Sequence, residues 1–347
     1  MQALVKYAKG SGNVKVMDRE MPEPKAGQVR VKVHYAGICG TDIHMYKDDG
    51  GYAYNPPVTL GHEFSGIVDA VGEGVDASLI GKAVVSETYF ITCGHCFFCV
   101  TGKKNLCPER KSIGSGVDGA MAEYVVVPYS NIHLVPEGVS LKEAAMTEPL
   151  ACCCQGVLEM ADITPGEHVL LSGPGAIGLM CLQFAVLCGG RVVVTGLHAD
   201  EERLQLALKL GAEAIVYSDD PDAKEQLKAK FAPHGADVVL ECSGAGPAVL
   251  TGIEMIRKGG RYVQVGLTGR PTTLNMNDIT LKELTVKGTF AQKPVWWTRS
   301  LELLAAKKIQ VLPLISDVDP LTDWEKAFEG VIKGEGLKHM LTACGEE

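Results

Sequence analysis

Four thiols crowd one short stretch of the chain: Cys93, Cys96, Cys99 and Cys107, at the spacing C-x2-C-x2-C-x7-C. In a loop that also holds Gly94, Gly102 and Pro108, such thiolates can surround one tetrahedral zinc ion. An iron–sulfur cluster is the alternative, and the distance to the fourth cysteine counts against it. Four sulfurs close the coordination sphere, so the part of this lobe, about residues 92–108, would be structural. A second donor group is mixed. Gly37-Ile-Cys39-Gly-Thr41-Asp42-Ile-His44 and Gly61-His62-Glu63 offer thiolate, imidazole and carboxylate from two loops, and Glu148 adds a carboxylate within Thr147-Glu148-Pro149-Leu150.

A third pattern, Gly173-Pro-Gly175-Ala-Ile177-Gly178, fits G-x-G-x-x-G. With 40 glycines in the chain a lone match would say little, but this one follows an apolar run and opens an apolar helix. Gly173 allows the turn, Gly175 lets a pyrophosphate approach the backbone, and Gly178 lets helix and strand close up. The helix start then offers unpaired N–H groups to the phosphates. About 20 residues on, where a carboxylate would grip the ribose hydroxyls of NAD, the sequence has Gly196. His198 and Arg203 could partner a 2′-phosphate, whereas Asp200, Glu201 and Glu202 could repel it, reach the ribose instead, or simply cap the next helix. NAD and NADP both stay open.

These groups need a scaffold. At 347 residues the chain is long for one core, and two domains are expected. From Val29 to Tyr35, apolar Val29, Val31, Val33 and Tyr35 alternate with Arg30, Lys32 and His34, which predicts a half-buried strand. Residues 65–71, 82–85 and 122–127 look alike, so residues 1–150 form a β-rich domain. Over 151–288 the texture changes to near-continuous apolar strands (168–172, 191–195, 214–217, 237–241, 261–265, 284–288) alternating with helices, the mark of a parallel sheet covered on both faces. Residues 289–347 return to mixed helices and loops. The fold class is α/β, with a doubly wound Rossmann domain inserted in a β-rich one.

Composition narrows the function. Apolar residues make 46% and charged residues 22% of the chain, as in an ordinary globular protein. With 33 basic against 42 acidic residues and a net charge of −9, a nucleic-acid or anionic-membrane surface is not expected. No apolar run of spanning length and no signal-peptide pattern at the start is found, so the expectation is a cytoplasmic protein. The twelve cysteines are clustered, which in a reducing compartment suggests metal before disulfide. Cys152, Cys153, Cys154 and Cys181 read as small buried hydrophobes, as does Cys188.

Taken together, GICGTDIH, LGHEFSG, the four-cysteine lobe, EPLA and GPGAIG resemble the zinc-dependent medium-chain dehydrogenases in order and spacing, over essentially the whole chain. The Glu of GHE, with EPLA, is most similar to the sorbitol (L-iditol) dehydrogenase branch. The resemblance implies a GroES-like catalytic domain, a catalytic zinc on Cys39, His62 and either Glu63 or Glu148, a structural zinc on the four cysteines, and NAD or NADP. It implies that Asp42 orients the ligand histidine, and that Thr41 and His44 relay a proton out. Ile177, Val265-Gly266-Leu267 and Thr289-Phe290-Ala291 match segments that line the nicotinamide half. The implied activity is hydride transfer between a secondary alcohol, a polyol or sugar derivative, and the cofactor, in a homodimer or homotetramer. L-threonine 3-dehydrogenase or 2,3-butanediol dehydrogenase is the nearby alternative, and a zinc-free binding or structural member of the fold the distant one. The branch's polyol contacts differ here: Met45 replaces a Tyr, and Ala291-Gln292 an Arg–Tyr pair. Trp296 and Trp297 could wall a pocket or fill the core.

Overall fold

The computed structural model describes residues 1–50 and 52–343; Cys344 lies outside them. The chain divides into two compact units, Met1–Ala151 with Gln292–Glu347, and Cys152–Ala291.

The first unit is built on a seven-stranded sheet. Its central strand, Gln28–Gly37, pairs antiparallel with Glu63–Val71, Tyr124–Pro128 and Lys338–Thr342. The predicted alternation holds as far as Val33. There the register with Glu63–Val71 shifts between Val33 and Tyr35, and His34 turns inward to 5% exposure. A bulge inserts one residue and reverses the side-chain phase, which period-two counting cannot anticipate. The tail region also differs from the mixed helices and loops expected of it. Ile315–Pro320 and Lys338–Thr342 are parallel strands of this same sheet, and every residue of Lys338–Thr342 is buried.

The second unit holds six parallel strands in the order 214–217, 191–196, 168–172, 236–241, 256–264, 285–288. Numbered along the chain, that is 3-2-1-4-5-6, the doubly wound order of dinucleotide-binding sheets. The helix Ala176–Leu187 buries Leu179 through Ala185, including Cys181, and Cys153 and Cys154 are fully buried too. Cys152 and Cys188 are half-buried. Among the described residues no helix is long and apolar enough to cross a membrane.

Strand and helix meet at Gly178. A Cβ there would lie 1.9 Å from the Gly173 carbonyl oxygen and 3.3 Å from Leu171. Gly178→Ala must therefore push the helix off the sheet. We expect a cost of about 1–3 kcal/mol, read by calorimetry as a lowered midpoint for this unit.

Candidate active site and cofactor edge

The helix Gly40–Lys47 begins directly after Cys39, and Asp42 is its anchor. Asp42 is fully buried and its carboxylate accepts the backbone N–H of Cys39 at 2.9 Å and that of Gly61 at 3.2 Å. One side chain thus fixes the two loops that carry Cys39 and His62. The sequence led us to expect Asp42 to orient the ligand histidine; it forms no hydrogen bond to the His62 ring and acts through the backbone and through its charge. Burial pushes the Asp42 carboxyl up from its ordinary value, against the pull of His62 and the two N–H groups.

The Cys39 sulfur, a His62 ring nitrogen and a Glu63 oxygen lie within 4.8 Å of one another. That set does not extend to Glu148, yet Glu148 is close enough to act on His62 through its charge. Burial alone would lower the His62 pKa, but Cys39 by charge and hydrogen bond, then Asp42 and Glu148, more than offset it and hold it well above the ordinary value. A half-buried imidazole among a thiolate and carboxylates is the setting of a bound dication, whose charge balances the donors. One thiolate, one imidazole and one carboxylate fit the three protein ligands of an open zinc site.

Two residues that sequence reasoning did not assign to the site complete it. Lys338, on the last strand, places its ammonium 2.7 and 2.9 Å from the two Glu63 oxygens and 3.1 Å from the Ile38 carbonyl. Burial lowers the Lys338 pKa, but Glu63 and Cys39 outweigh it and the net shift is upward. Gln292, fully buried, gives its amide to Glu148 Oε1 at 2.8 Å, while its own Oε1 accepts from Tyr89 OH at 3.0 Å. Desolvation raises the Glu148 pKa, and Gln292, His62 and Lys338 pull the other way. Ala291-Gln292, read from sequence only as a departure, therefore holds a role at Glu148.

Thr41 and His44 share the face of the helix Gly40–Lys47, three residues apart. Thr41 Oγ1 lies 3.5 Å from His62 Nε2, and the half-exposed His44 rests Nδ1 on the Asp49 carboxylate at 2.8 and 3.0 Å. Trp297 is buried and stacked on His133, with 5.8 Å between ring centroids; it belongs to the core of the first unit, and Trp296 is half-buried.

The four cysteines of the lobe also meet. Their sulfurs lie within 4.8 Å of one another, with Cys93 3.9 Å from Cys99 and 3.7 Å from Cys107. Zinc–sulfur bonds of about 2.3 Å give a tetrahedron edge of about 3.8 Å, so the cage fits the ion. Backbone N–H groups point at sulfur, Cys96 to Cys93 at 3.3 Å and Cys93 to Cys107 at 3.4 Å. The N–H groups of Cys96 and His95 pull the Cys93 thiol down to about 6, while burial pushes the Cys99 thiol up to about 12.

On the second unit, Gly173 has φ +95°, and a Cβ on it would strike Ser243 at 2.8 Å. Gly175 is the N-cap of the helix, and a Cβ there would meet nothing within 4 Å. That gap leaves the backbone open to a pyrophosphate. The neighbouring edge is pinned by Glu241, which accepts the N–H groups of Ser243 and Gly244 at 2.9 and 3.0 Å. Gly266 packs on Gly244, and Leu267 stands exposed beside Val265. Thr289 and Ala291 are tied to Gln155 at 3.3 Å each, and Phe290 is part-exposed. Gly196 is glycine for a steric reason: a Cβ would lie 2.8 Å from Pro174 and 3.3 Å from Leu204. No carboxylate side chain can stand there. Beside it, His198 sits on Asp219 at 3.0 Å and Asp220 at 3.6 Å, and Arg203 on Asp200 at 3.2 Å.

Known proteins carry this arrangement. Residues 25–137 match the alcohol dehydrogenase GroES-like domain and residues 176–306 the zinc-binding dehydrogenase model. The chain is 42% identical to a sorbitol dehydrogenase of Halalkalibacterium halodurans, over 99% of each chain. It is 39% identical to the D-arabitol-phosphate dehydrogenase of Enterococcus avium, covering 100% of this chain and 99% of that one. The chain belongs to the zinc-binding alcohol dehydrogenases. A putative zinc-binding dehydrogenase of Sinorhizobium meliloti 1021, solved with NADP, superposes with a TM-score of 0.89 at 33% identity over 98% of each chain. The protein is an oxidoreductase that uses zinc and a nicotinamide cofactor.

In this enzyme Lys338 and Glu63 form a buried pair, 8% and 1% exposed. Removing one partner strands the other, at a cost of about 3–5 kcal/mol. Lys338→Met should lower the thermal midpoint accordingly, and Lys338→Met with Glu63→Gln should recover most of the loss, both followed by calorimetry of enzyme stripped of its catalytic zinc.

Proposed function

We propose that the enzyme oxidises a secondary hydroxyl of a polyol or sugar-derived alcohol to the ketone, hydride passing to the nicotinamide cofactor. The observation that carries this reading is the convergence of Cys39, His62 and Glu63, with Glu148 held by Gln292 close by. Zinc held by Cys39, His62 and Glu63 supplies Lewis acidity, which lets an alcohol lose its proton near neutral pH. Asp42 keeps the two donor loops in register. Gln292 aims Glu148, and Lys338 holds Glu63 until a metal competes for its oxygens. Thr41 Oγ1 receives the substrate hydroxyl proton, and His44 passes it outward. Asp49 fixes His44 Nδ1, so Nε2 is the atom that takes up the proton.

The polyol reading is supported by a site rich in polar contacts and by the two polyol-type relatives. Initial rates on sorbitol, xylitol, iditol and galactitol should show turnover of at least one, with Cys39→Ser reducing it by at least about 10³-fold. Absence of turnover on all four by fully zinc-loaded enzyme would remove the polyol reading.

We further infer NAD as the preferred cofactor. His198 and Arg203, basic side chains just past the end of the second sheet strand, already rest on Asp219, Asp220 and Asp200. Glu201, Glu202 and these three aspartates leave the rim acidic, and a 2′-phosphate would meet repulsion there. The kcat/KM for NAD should exceed that for NADP by at least about tenfold, and Asp219→Asn should narrow the ratio. An enzyme that prefers NADP would reverse the assignment.

Assembly as a homo-oligomer is supported by the open sheet edge at Thr285–Gly288, where Val286 is 45% exposed, and by exposed Met276 and Leu281 beside it. Reduced thiolate sites suit a cytoplasmic location.

A further inference from the structure

Glu148 is the donor that the set of Cys39, His62 and Glu63 leaves out, although it lies close enough to act on His62 through its charge. Its position follows from a series of contacts inside the first unit. Gln292 donates its amide to Glu148 Oε1 at 2.8 Å and reaches the Glu148 carbonyl at 3.5 Å. Gln292 is itself held at three points by one hydroxyl. Tyr89 OH accepts the Gln292 backbone N–H at 3.0 Å, and its proton is shared between the Gln292 carbonyl at 2.5 Å and Oε1 at 3.0 Å. The hydroxyl also sets which way the amide points, because a turned amide would face the Glu148 carboxylate with its oxygen.

Tyr89 is anchored in turn. Its carbonyl accepts Asn131 Nδ2 at 2.7 Å, and its backbone pairs with Ser112 across a two-stranded ladder. Gln292, Tyr89 and Glu148 are 0%, 3% and 8% exposed, so water is a poor substitute for any of these bonds. Glu148 can leave Gln292 only by leaving a buried N–H group short of an acceptor, which is costly. Glu63 also has a partner, Lys338, yet it stands inside the donor set with that partner in place. Glu148 stands outside.

We propose that Tyr89 is a positioning residue which, through Gln292, holds Glu148 off the catalytic metal, so that one coordination position stays open for the substrate hydroxyl. The proposal rests on the reading above, with zinc on Cys39, His62 and Glu63, and adds what keeps a fourth donor away. Three protein ligands leave a zinc ion one exchangeable position, whereas four close it, as the four-cysteine lobe does. A second carboxylate beside the dication is attracted to it, and a fixed amide on Oε1 opposes that pull. The restraint is stiff because Gln292 is bonded at its N–H, its carbonyl and its side chain to the same hydroxyl.

The test uses full-length enzyme whose four-cysteine lobe stays filled with zinc. The dissociation constant of the catalytic zinc is measured without substrate, by competition with dipicolinate. Wild type, Tyr89→Phe and Gln292→Leu are compared, each also combined with Glu148→Gln. Tyr89→Phe keeps the ring and removes one hydroxyl, so it carries the test if Gln292→Leu does not fold. We expect both single variants to bind this zinc at least about tenfold more tightly. They should also raise the KM for the alcohol more than they lower kcat, because Glu148 then competes with it. With Glu148→Gln present, neither change should alter zinc binding by more than about twofold. Unchanged or weaker zinc binding in the single variants would overturn the proposal, weaker binding by making Glu148 a ligand that Gln292 supports. So would tightening that persists alongside Glu148→Gln. A lack of turnover on every polyol removes the polyol reading and leaves this proposal to the zinc titration.

Discussion

Charge taken out of water has to be answered by charge or by hydrogen bonds, and the catalytic unit is organised around that constraint. Cys39, Asp42, His62, Glu63 and Glu148 bring a thiol, three carboxyls and an imidazole into a small volume, most of them buried. Each has a specific answer. Asp42 takes two backbone N–H groups, Glu63 takes Lys338, Glu148 takes Gln292, and His62 takes Cys39. The answers come from far along the chain, so the cluster also sets the topology. Lys338 can reach Glu63 only if the last strand lies beside Gln28–Gly37, which is where its full burial puts it.

The second unit obeys a different constraint, close approach of backbones. Gly173, Gly178, Gly244 and Gly266 each sit where a Cβ would come within 3 Å of backbone or Ser243. Gly175 alone of the fingerprint faces open space. Four close approaches build the edge of the sheet, and the one gap leaves room for a ligand. Gly196 belongs to the first kind, since Pro174 of the fingerprint itself fills the space a side chain would need. The missing ribose carboxylate is thus a consequence of the turn's own packing.

What the sequence made legible follows from how local each signal is. The four-cysteine lobe and the glycine fingerprint lie within runs of about 15 and 6 residues, so spacing alone reveals them. The strands of the parallel sheet were readable because burial on both faces makes them continuous apolar runs. The inward turn of His34 was not, because a bulge depends on the partner strand. Strands 315–320 and 338–342 were missed for a related reason: Asp317, Asp319, Lys338 and His339 break the apolar pattern, and they are accommodated by partners elsewhere. Lys338 lies 275 residues from Glu63, and Gln292 lies 144 from Glu148. No periodicity links such pairs; only the fold does.

The positions that differ from the polyol branch carry the most information about this particular chain. An arginine at residue 291 would bring a charge, whereas Ala291 has φ +51° and contributes only its carbonyl to Gln155. The neighbouring Gln292 is neutral and spends its donor on Glu148 and its acceptor on Tyr89. Arg110 lies over the same aromatic ring whose hydroxyl bonds Gln292, 5.5 Å from its centroid.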